Sequence, residues 1–329
     1  MKLSAALVRP SLIGVGATCA IASALLITAC GGGGGGGGTG SGSGTAATVA
    51  SALAGTPKYS QKLLLTVSGS NLDQGLAVTA TGCSGITLST SAPSVSTATT
   101  AYYQCTVSGS GAGQFVVTRT SDNATLATTP FTVPVPQVTM TVSNGAGGGV
   151  SGTLVVTLAP NQTPLTVNNF LAYVNARFYD GTVFHRVSPG FVIQGGGYAS
   201  PVDNNAVTPK PTNAPIALEV NKGLSNTKWT IAMARSCGSA PSTSSQFFIN
   251  LADNSAALDP SPLPTLCFAN PPLDTAGYAV FGNVVASSAM VASIASAPCQ
   301  SFPDGSPLGT TNECMPSPNV VITSAVQTQ

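Results

Sequence analysis

Charge is scarce in this chain: its 329 residues hold 10 Asp and Glu against 11 Lys and Arg, for a formal net charge of +1. No basic stripe or run of like charge stands out, so the electrostatic footprint that nucleic acid requires is missing and that partner is excluded. Histidine occurs once, at His185, and the 8 cysteines include no C-x-x-C pair. One imidazole without paired thiols is too few ligands for a zinc centre, so neither metal nor cofactor is expected. No internal repeat is apparent. The polyglycine run Gly31 to Gly38 lacks the Lys-Ser/Thr and the strand–turn–helix setting of a phosphate loop. With 37 Gly and 24 Pro, the length suits two β-rich modules with linkers rather than a helical array.

What is present begins with an export signal. Lys2 and Arg9 precede an apolar stretch from Ser11 to Thr28, closed by Leu26-Ile27-Thr28-Ala29-Cys30. A basic start, an apolar run and small residues at the break have the layout of a secretory signal. The rival reading is a retained membrane helix. Against it stand Gly14, Gly16, Thr18 and Ser23 within the run, and a glycine tract after it in place of a basic flank. The closing residues resemble the lipobox of bacterial lipoproteins, with Ile27 at the usual leucine position. That resemblance implies cleavage after residue 29 and lipidation of Cys30, anchoring the chain to a membrane, since each buried CH₂ adds about 0.8 kcal/mol. Gly31 rather than Asp after Cys30 tilts the expected location to the outer membrane, facing the periplasm.

Export makes the remaining cysteines disulfide candidates. Cys19 leaves with the signal and Cys30 carries lipid, so Cys83, Cys105, Cys237, Cys267, Cys299 and Cys314 remain. Six cysteines allow about 15 pairings. Proximity favours Cys83 with Cys105 and Cys299 with Cys314, which leaves Cys237 with Cys267.

Composition and periodicity divide the chain into a signal peptide (1–29), a Gly/Ser-rich tether (30–56), a β-sandwich (57–135) and a larger unit (136–329). In the sandwich, β-favouring runs at Leu63 to Val67, Leu76 to Ala80, Tyr102 to Val107, Phe115 to Thr120 and Phe131 to Val133 are separated by turn residues. This spacing predicts a small immunoglobulin-like fold. Pro134-Val135-Pro136 reads as a short, stiff junction. Beyond it, strands are expected at Val138 to Val142, Thr153 to Leu158, Thr182 to Arg186, Trp229 to Ala234, Gln246 to Leu251, Tyr278 to Val284 and Asn319 to Val326. The clearest helix has Thr163 as N-cap and Pro164 at its first position. Val167, Phe170, Leu171 and Val174 follow at the spacing of one buried face. A second helix is expected near Ser287 to Ser296. Many strands with two short helices predict a closed antiparallel barrel.

The stretch Phe184-His185-Arg186-Val187-Ser188-Pro189-Gly190-Phe191-Val192-Ile193-Gln194-Gly195-Gly196 carries the chemistry. It closely resembles the cyclophilin signature F-H-R-V/I-x-P-G-F-M/V-x-Q-G-G. The likeness continues at Thr230 to Arg235, Ser245 to Asn250, Leu258-Asp259 and Tyr278 to Gly282, in the family's order, and spans about Val138 to Val326. The Met-Ala-Arg and Tyr-Ala-Val-Phe-Gly variants are similar to the bacterial periplasmic branch. The resemblance implies a mainly β chain with a cyclophilin-like, eight-stranded closed barrel and two capping helices behind the sandwich. It also implies peptidyl-prolyl cis/trans isomerase activity on proline-containing exported polypeptides, performed by a monomer.

By the same resemblance Arg186 and Gln194 are the catalytic pair. Arg186 donates to the prolyl nitrogen as the bond twists, and Gln194 orients Arg186 and the substrate carbonyl. Phe191, Val192, Phe248 and Leu258 form the pocket for the proline ring. Gln246, Tyr278 and the backbone at Ala234 and Arg235 line the adjoining groove, and His185 supports the arginine. Two departures stand out: Ala257 replaces a Trp that many members place before the pocket leucine, and Tyr278 replaces a His. The first implies weaker cyclosporin binding. The Pro260 to Gly277 segment is longer than in most members. A hydrolase built on His185 is disfavoured, because no nucleophile-elbow sequence pairs with it. The rival from another class is a non-catalytic module that holds proline-containing segments.

Overall fold

The structure, a computed structural model, describes residues 45–329 except 91–92, 204–206, 237, 263–264, 267–272, 304–305 and 307. The expected signal, Cys30 with its expected lipidation, most of the tether and the expected pair Cys237 and Cys267 lie outside the described residues. The chain divides into Met1–Thr45 and Ala46–Gln329, and all described secondary structure belongs to the second unit.

Seven strands come first: β1 (Thr48–Ala54), β2 (Lys62–Ser70), β3 (Leu76–Thr81), β4 (Cys83–Leu88), β5 (Thr100–Val107), β6 (Gly111–Arg119) and β7 (Thr125–Val133). They pair antiparallel in two sheets, ordered β1-β2-β5-β4 and β3-β6-β7. Lettered in sequence, this is the A-B-E-D and C-F-G arrangement of an immunoglobulin constant-type domain. Period-two alternation supplies the core: Leu63, Leu65 and Val67 of β2 and Tyr103 and Cys105 of β5 are buried with Phe115, Val117 and Phe131 of the second sheet. The Cys83–Cys105 disulfide, with Cα atoms 5.7 Å apart, joins neighbours β4 and β5 within one sheet. Strand β1 begins at Thr48, inside the stretch expected as tether. Its small residues, Thr48-Val49-Ala50-Ser51-Ala52, resemble a linker in composition, and pairing with β2 decides their conformation.

The second part contains β8 (Gln137–Ser143), β9 (Ser151–Leu158), α1 (Pro164–Asn175), β10 (Thr182–Ser188), β11 (Val192–Ala199) and the two-residue β12 (Thr208–Pro209). It continues with β13 (Thr230–Met233), β14 (Phe247–Asn250), α2 (Ser255–Leu258), the short β15 (Thr265–Leu266) and β16 (Leu273–Asp274), and β17 (Val280–Asn283). Last come α3 (Ser288–Ala295), β18 (Cys299–Ser301), β19 (Cys314–Pro316) and β20 (Val320–Gln327). The strands run β11-β14-β13-β17-β9-β8-β20-β10, and β10 pairs again with β11, so eight strands close into an antiparallel barrel. Helix α1 sets Phe170 into the core, where its ring meets Phe281 at 4.9 Å, Tyr179 at 5.3 Å and Phe247 at 6.1 Å. The three-residue junction between β7 and β8 is reinforced where Lys58 Nζ donates to Gln327 O at 2.7 Å and Ser110 N to Asn161 Oδ1 at 3.1 Å.

The start of α1 departs from expectation in one respect. Thr163 occupies the N-cap position, but its hydroxyl turns back to Ala159 O at 3.4 Å. The carboxylate of Glu219 instead accepts from Leu165 N at 3.2 Å, and from Thr166 N and Thr166 Oγ1, each at 2.7 Å. A buried anion at a helix N-terminus satisfies donors that the helix cannot and complements its dipole. Glu219→Ala should therefore lower stability by about 1.5 to 3 kcal/mol, the usual cost of losing hydrogen bonds to a charged group. Urea unfolding measures it.

Candidate active site

The site depends on an irregularity in β10. Residues two apart on a strand share a face, so Phe184 and Arg186 would ordinarily point the same way. Their register against β11 shifts between them: Phe184 lies opposite Gly195, while Arg186 lies opposite the adjacent Gln194. The extra residue is a β-bulge, which re-aims a side chain. Phe184 points into the core, its ring 5.9 Å from that of Phe247. Arg186 points outward beside Gln194. Gly195 suits the close approach opposite the bulge, because a Cβ there would stand 3.0 Å from Val183 O and 3.1 Å from the Phe184 ring, tighter than most side chains sit.

Arg186 is gripped from two sides. Nη1 donates to Gln194 Oε1 at 2.9 Å, Nε donates to Glu313 Oε1 at 2.9 Å, and Nη2 donates to the same Glu313 oxygen. Gln194 Nε2 in turn donates to Gln246 Oε1 at 2.9 Å. A guanidinium only donates, so the hydrogen bonds run outward from Arg186, one way to Glu313 and the other way through Gln194 to Gln246. The side chains of Arg186 and Glu313 are 11% and 5% exposed. Burial pushes the Glu313 carboxyl up, but hydrogen bonds from Arg186 and Thr310 N, together with the Arg186 charge, outweigh it and hold the pKa below the usual range. Sequence reasoning passed over Glu313, which lies 127 residues from Arg186 and outside every quoted motif.

Beside this chain lies an apolar cluster separate from the barrel core. Val192, Ala232, Phe248, Leu258 and Val280 are buried in it, with Phe191, Leu224, Ala234 and Tyr278 packed against it. Strand alternation on β11 and β14 puts Val192 and Phe248 on the outer wall, while Ile193 and Phe247 face inward. The Tyr278 ring stands edge-on to Phe248 at 5.5 Å, and the Arg235 guanidinium lies 4.8 Å over Tyr278. A polar lattice fixes the wall from behind. Asn254 Nδ2 donates to Phe191 O at 2.8 Å and to Asn250 Oδ1 at 2.8 Å, and Asn226 Nδ2 donates to Asp259 Oδ1 at 2.8 Å. The expected pocket and groove residues thus come together. Ala232, Leu224 and Val280 join them without having been singled out: Ala232 and Val280 lay in quoted blocks but read only as strand. Ala257 is exposed on α2 next to Leu258. In the long Pro260 to Gly277 segment, β15 and β16 pair, and the side chains of residues 263–274 lie outside the described ones.

His185, expected to support the arginine, is withdrawn from solvent. It is 2% exposed, its ring stands edge-on to Tyr198 at 4.7 Å, and its Nδ1 has no hydrogen-bond partner. As the bulged residue it has no register partner on β11, and its ring packs against Tyr198. Burial, and then the Arg186 charge, lower its pKa to about 3 despite a backbone hydrogen bond at Val183. A buried imidazole whose Nδ1 meets no carboxylate is not the base of a triad.

A closed β-barrel that holds a clamped arginine beside a separate apolar cluster on its outer wall is the class these features define. Residues 138–327 match the family model described as cyclophilin type peptidyl-prolyl cis-trans isomerase/CLD, and the chain belongs to this enzyme family. It is 41% identical over 151 residues to the peptidyl-prolyl cis-trans isomerase of Acinetobacter baylyi, covering 46% of this chain and 71% of that protein. It is 42% identical over 135 residues to peptidyl-prolyl cis-trans isomerase A of Dickeya dadantii, covering 41% and 62%. With isomerase B of Escherichia coli the identity is 42% over 135 residues, covering 41% and 73%.

The buried histidine has a consequence for acid stability. Its folded pKa of about 3 lies below the ordinary 6.5, so as pH falls the unfolded chain takes up the proton first. The stability tied to this group is fully present above about pH 6.5 and is lost towards pH 3, at up to about 1.4 kcal/mol per pH unit. His185 is the only histidine. His185→Gln should therefore flatten the stability profile between pH 6.5 and 4, measured by urea unfolding at several pH values. An unchanged slope would mean that the imidazole is not buried.

Proposed function

We propose that this enzyme isomerises X-Pro bonds in exported polypeptides from a position at a membrane, and that it does so with the Arg186 site. The observation that carries the reading is the doubly held guanidinium of Arg186 beside an apolar cluster whose Phe191 and Tyr278 are only partly buried. Rotation of an amide needs no proton acceptor, nucleophile or metal. It needs compensation for the resonance lost as the prolyl nitrogen becomes pyramidal, against an uncatalysed barrier of about 18 to 20 kcal/mol. A 10⁵-fold acceleration corresponds to about 7 kcal/mol. One charge-assisted hydrogen bond from Arg186 contributes about 1.5 to 3 kcal/mol. The remainder falls to a water-poor site and to the positioning of the substrate.

In this reading Phe191, Val192, Phe248 and Leu258 hold the proline ring, Gln194 orients Arg186, and Gln246, Tyr278 and the backbone at Ala234 and Arg235 border the chain on either side. The chain works as a monomer, tethered through lipid on Cys30 at the outer membrane and facing the periplasm. The glycine-rich segment behind Cys30 and the β1–β7 sandwich set the distance between membrane and barrel. An exported chain with two paired disulfides agrees with that compartment.

Arg186→Ala should lower kcat/KM by about tenfold to over a hundredfold, measured on an X-Pro peptide at low temperature, where the uncatalysed rate is slowest. Arg186→Lys should not restore it, since a point charge lacks the planar fork. An unchanged rate in a variant with intact circular dichroism would sink the assignment. Cys30→Ser should yield an uncleaved or soluble product on fractionation; a cleaved, membrane-bound variant would rule out the lipid anchor.

A further inference from the structure

Between α3 and β20 the chain leaves the barrel wall, forms the β18–β19 pair and returns. Cys299 and Cys314 are disulfide-bonded across a separation of 15 residues, and Ser301 pairs with Cys314. Cys314 also pairs with Val187 on β10, one residue from Arg186. The segment has its own small core, in which Phe302, Leu308 and Met315 pack on Val183 and Val202 outside the barrel. Glu313 immediately precedes the disulfide cysteine, and its place is tightly prescribed. Its Oε2 accepts from Thr310 N at 2.8 Å, and its backbone O accepts from Phe302 N at 3.1 Å. A Cβ at position 309 would stand 2.8 Å from Glu313 Oε2 and 2.6 Å from the Phe302 ring, so glycine is needed there. All of this brings one carboxylate, 5% exposed, onto the Nε–Nη2 edge of Arg186.

Arginine has a long, rotamer-rich side chain. A guanidinium held on one edge alone can pivot about that edge, and misplacement by about 1 Å can cost about a hundredfold in rate. A second contact on a different edge fixes the plane. We propose that Glu313 is a positioning residue for the isomerase, holding the Nε–Nη2 edge of Arg186 while Gln194 holds Nη1, and that the Cys299–Cys314 disulfide keeps it there. The proposal rests on the reading of Arg186 as the group that meets the prolyl bond. Glu313 itself touches the guanidinium and not the substrate.

The test uses the full chain and an X-Pro peptide, with kcat and KM measured separately and the Arg186 Nε–H followed by nitrogen-15 NMR. Glu313→Ala should lower kcat by about tenfold or more, leave KM within about twofold, and abolish the slowly exchanging Nε–H signal. Glu313→Gln, of the same shape and still an acceptor, should recover part of both. Cys299→Ser with Cys314→Ser should lower kcat in the same direction, and should lower it no further in a Glu313→Ala background, because residues acting as one unit are not additive. Unchanged kcat in Glu313→Ala and Glu313→Gln, with Arg186→Ala inactive, would overturn the positioning role while sparing the reading of Arg186. Full activity in Arg186→Ala would remove that reading and this one together. Additive losses from the cysteine pair and Glu313 would overturn the role of the disulfide.

Discussion

A cation held almost out of water between a carboxylate and an amide is the constraint around which this barrel is arranged. Desolvating a guanidinium is costly unless it is paired and hydrogen-bonded. The charge must nevertheless face the outer wall, because the barrel interior is filled by Phe170, Phe184, Phe247 and Phe281. One bulge in β10 turns Arg186 outward. The partner carboxylate then has to arrive from a segment with enough apolar surface of its own to stay attached, which Phe302, Leu308 and Met315 provide.

Three apolar clusters divide the work. The first fills the barrel and runs on into the sandwich, giving the strands a fixed frame. The second holds the loop that carries Glu313 against the back of β10. The third, around Phe248 and Val192, is flanked by the partly buried Phe191 and Tyr278 and lies beside the strand position of Gln194. Parity on neighbouring strands separates the first from the third: Ile193 and Phe247 belong to the core, and Val192 and Phe248, one residue along, belong to the outer cluster.

Local pattern in the sequence reached those features that local pattern governs. The apolar spacing after Pro164 located α1, alternation located β2, β5 and β8, and proximity along the chain picked out the Cys83–Cys105 and Cys299–Cys314 disulfides. The motif around Arg186 brought Gln194, Phe191 and Val192 with it. Strand β11 was not anticipated, because Gly195-Gly196-Gly197 reads as a break. Those glycines are dictated by neighbours distant in sequence: a Cβ on Gly196 would meet Phe247 at 2.8 Å and Tyr179 at 2.9 Å. Glu219 and Glu313 escaped for the same reason. Each is an isolated acid in an irregular stretch, and its meaning comes from a helix end or a guanidinium that only the folded chain brings near.

Closure of the barrel has a further consequence for an enzyme that acts on proline-containing polypeptides. Unpaired strand edges template the addition of further strands, the route to aggregation. A ring of eight strands has no such edge. The open sheets of the sandwich do have edges, and most of them are blunted: β1 and β4 carry register shifts at Val49/Ser51 and Ser84/Thr87, and β7 contains Pro130, which has no N–H to give. The short flanking strands β12 and β18 extend for only 2 and 3 residues. The barrel wall that carries Arg186 and Phe248 therefore offers little continuous backbone along which an extended chain could zip.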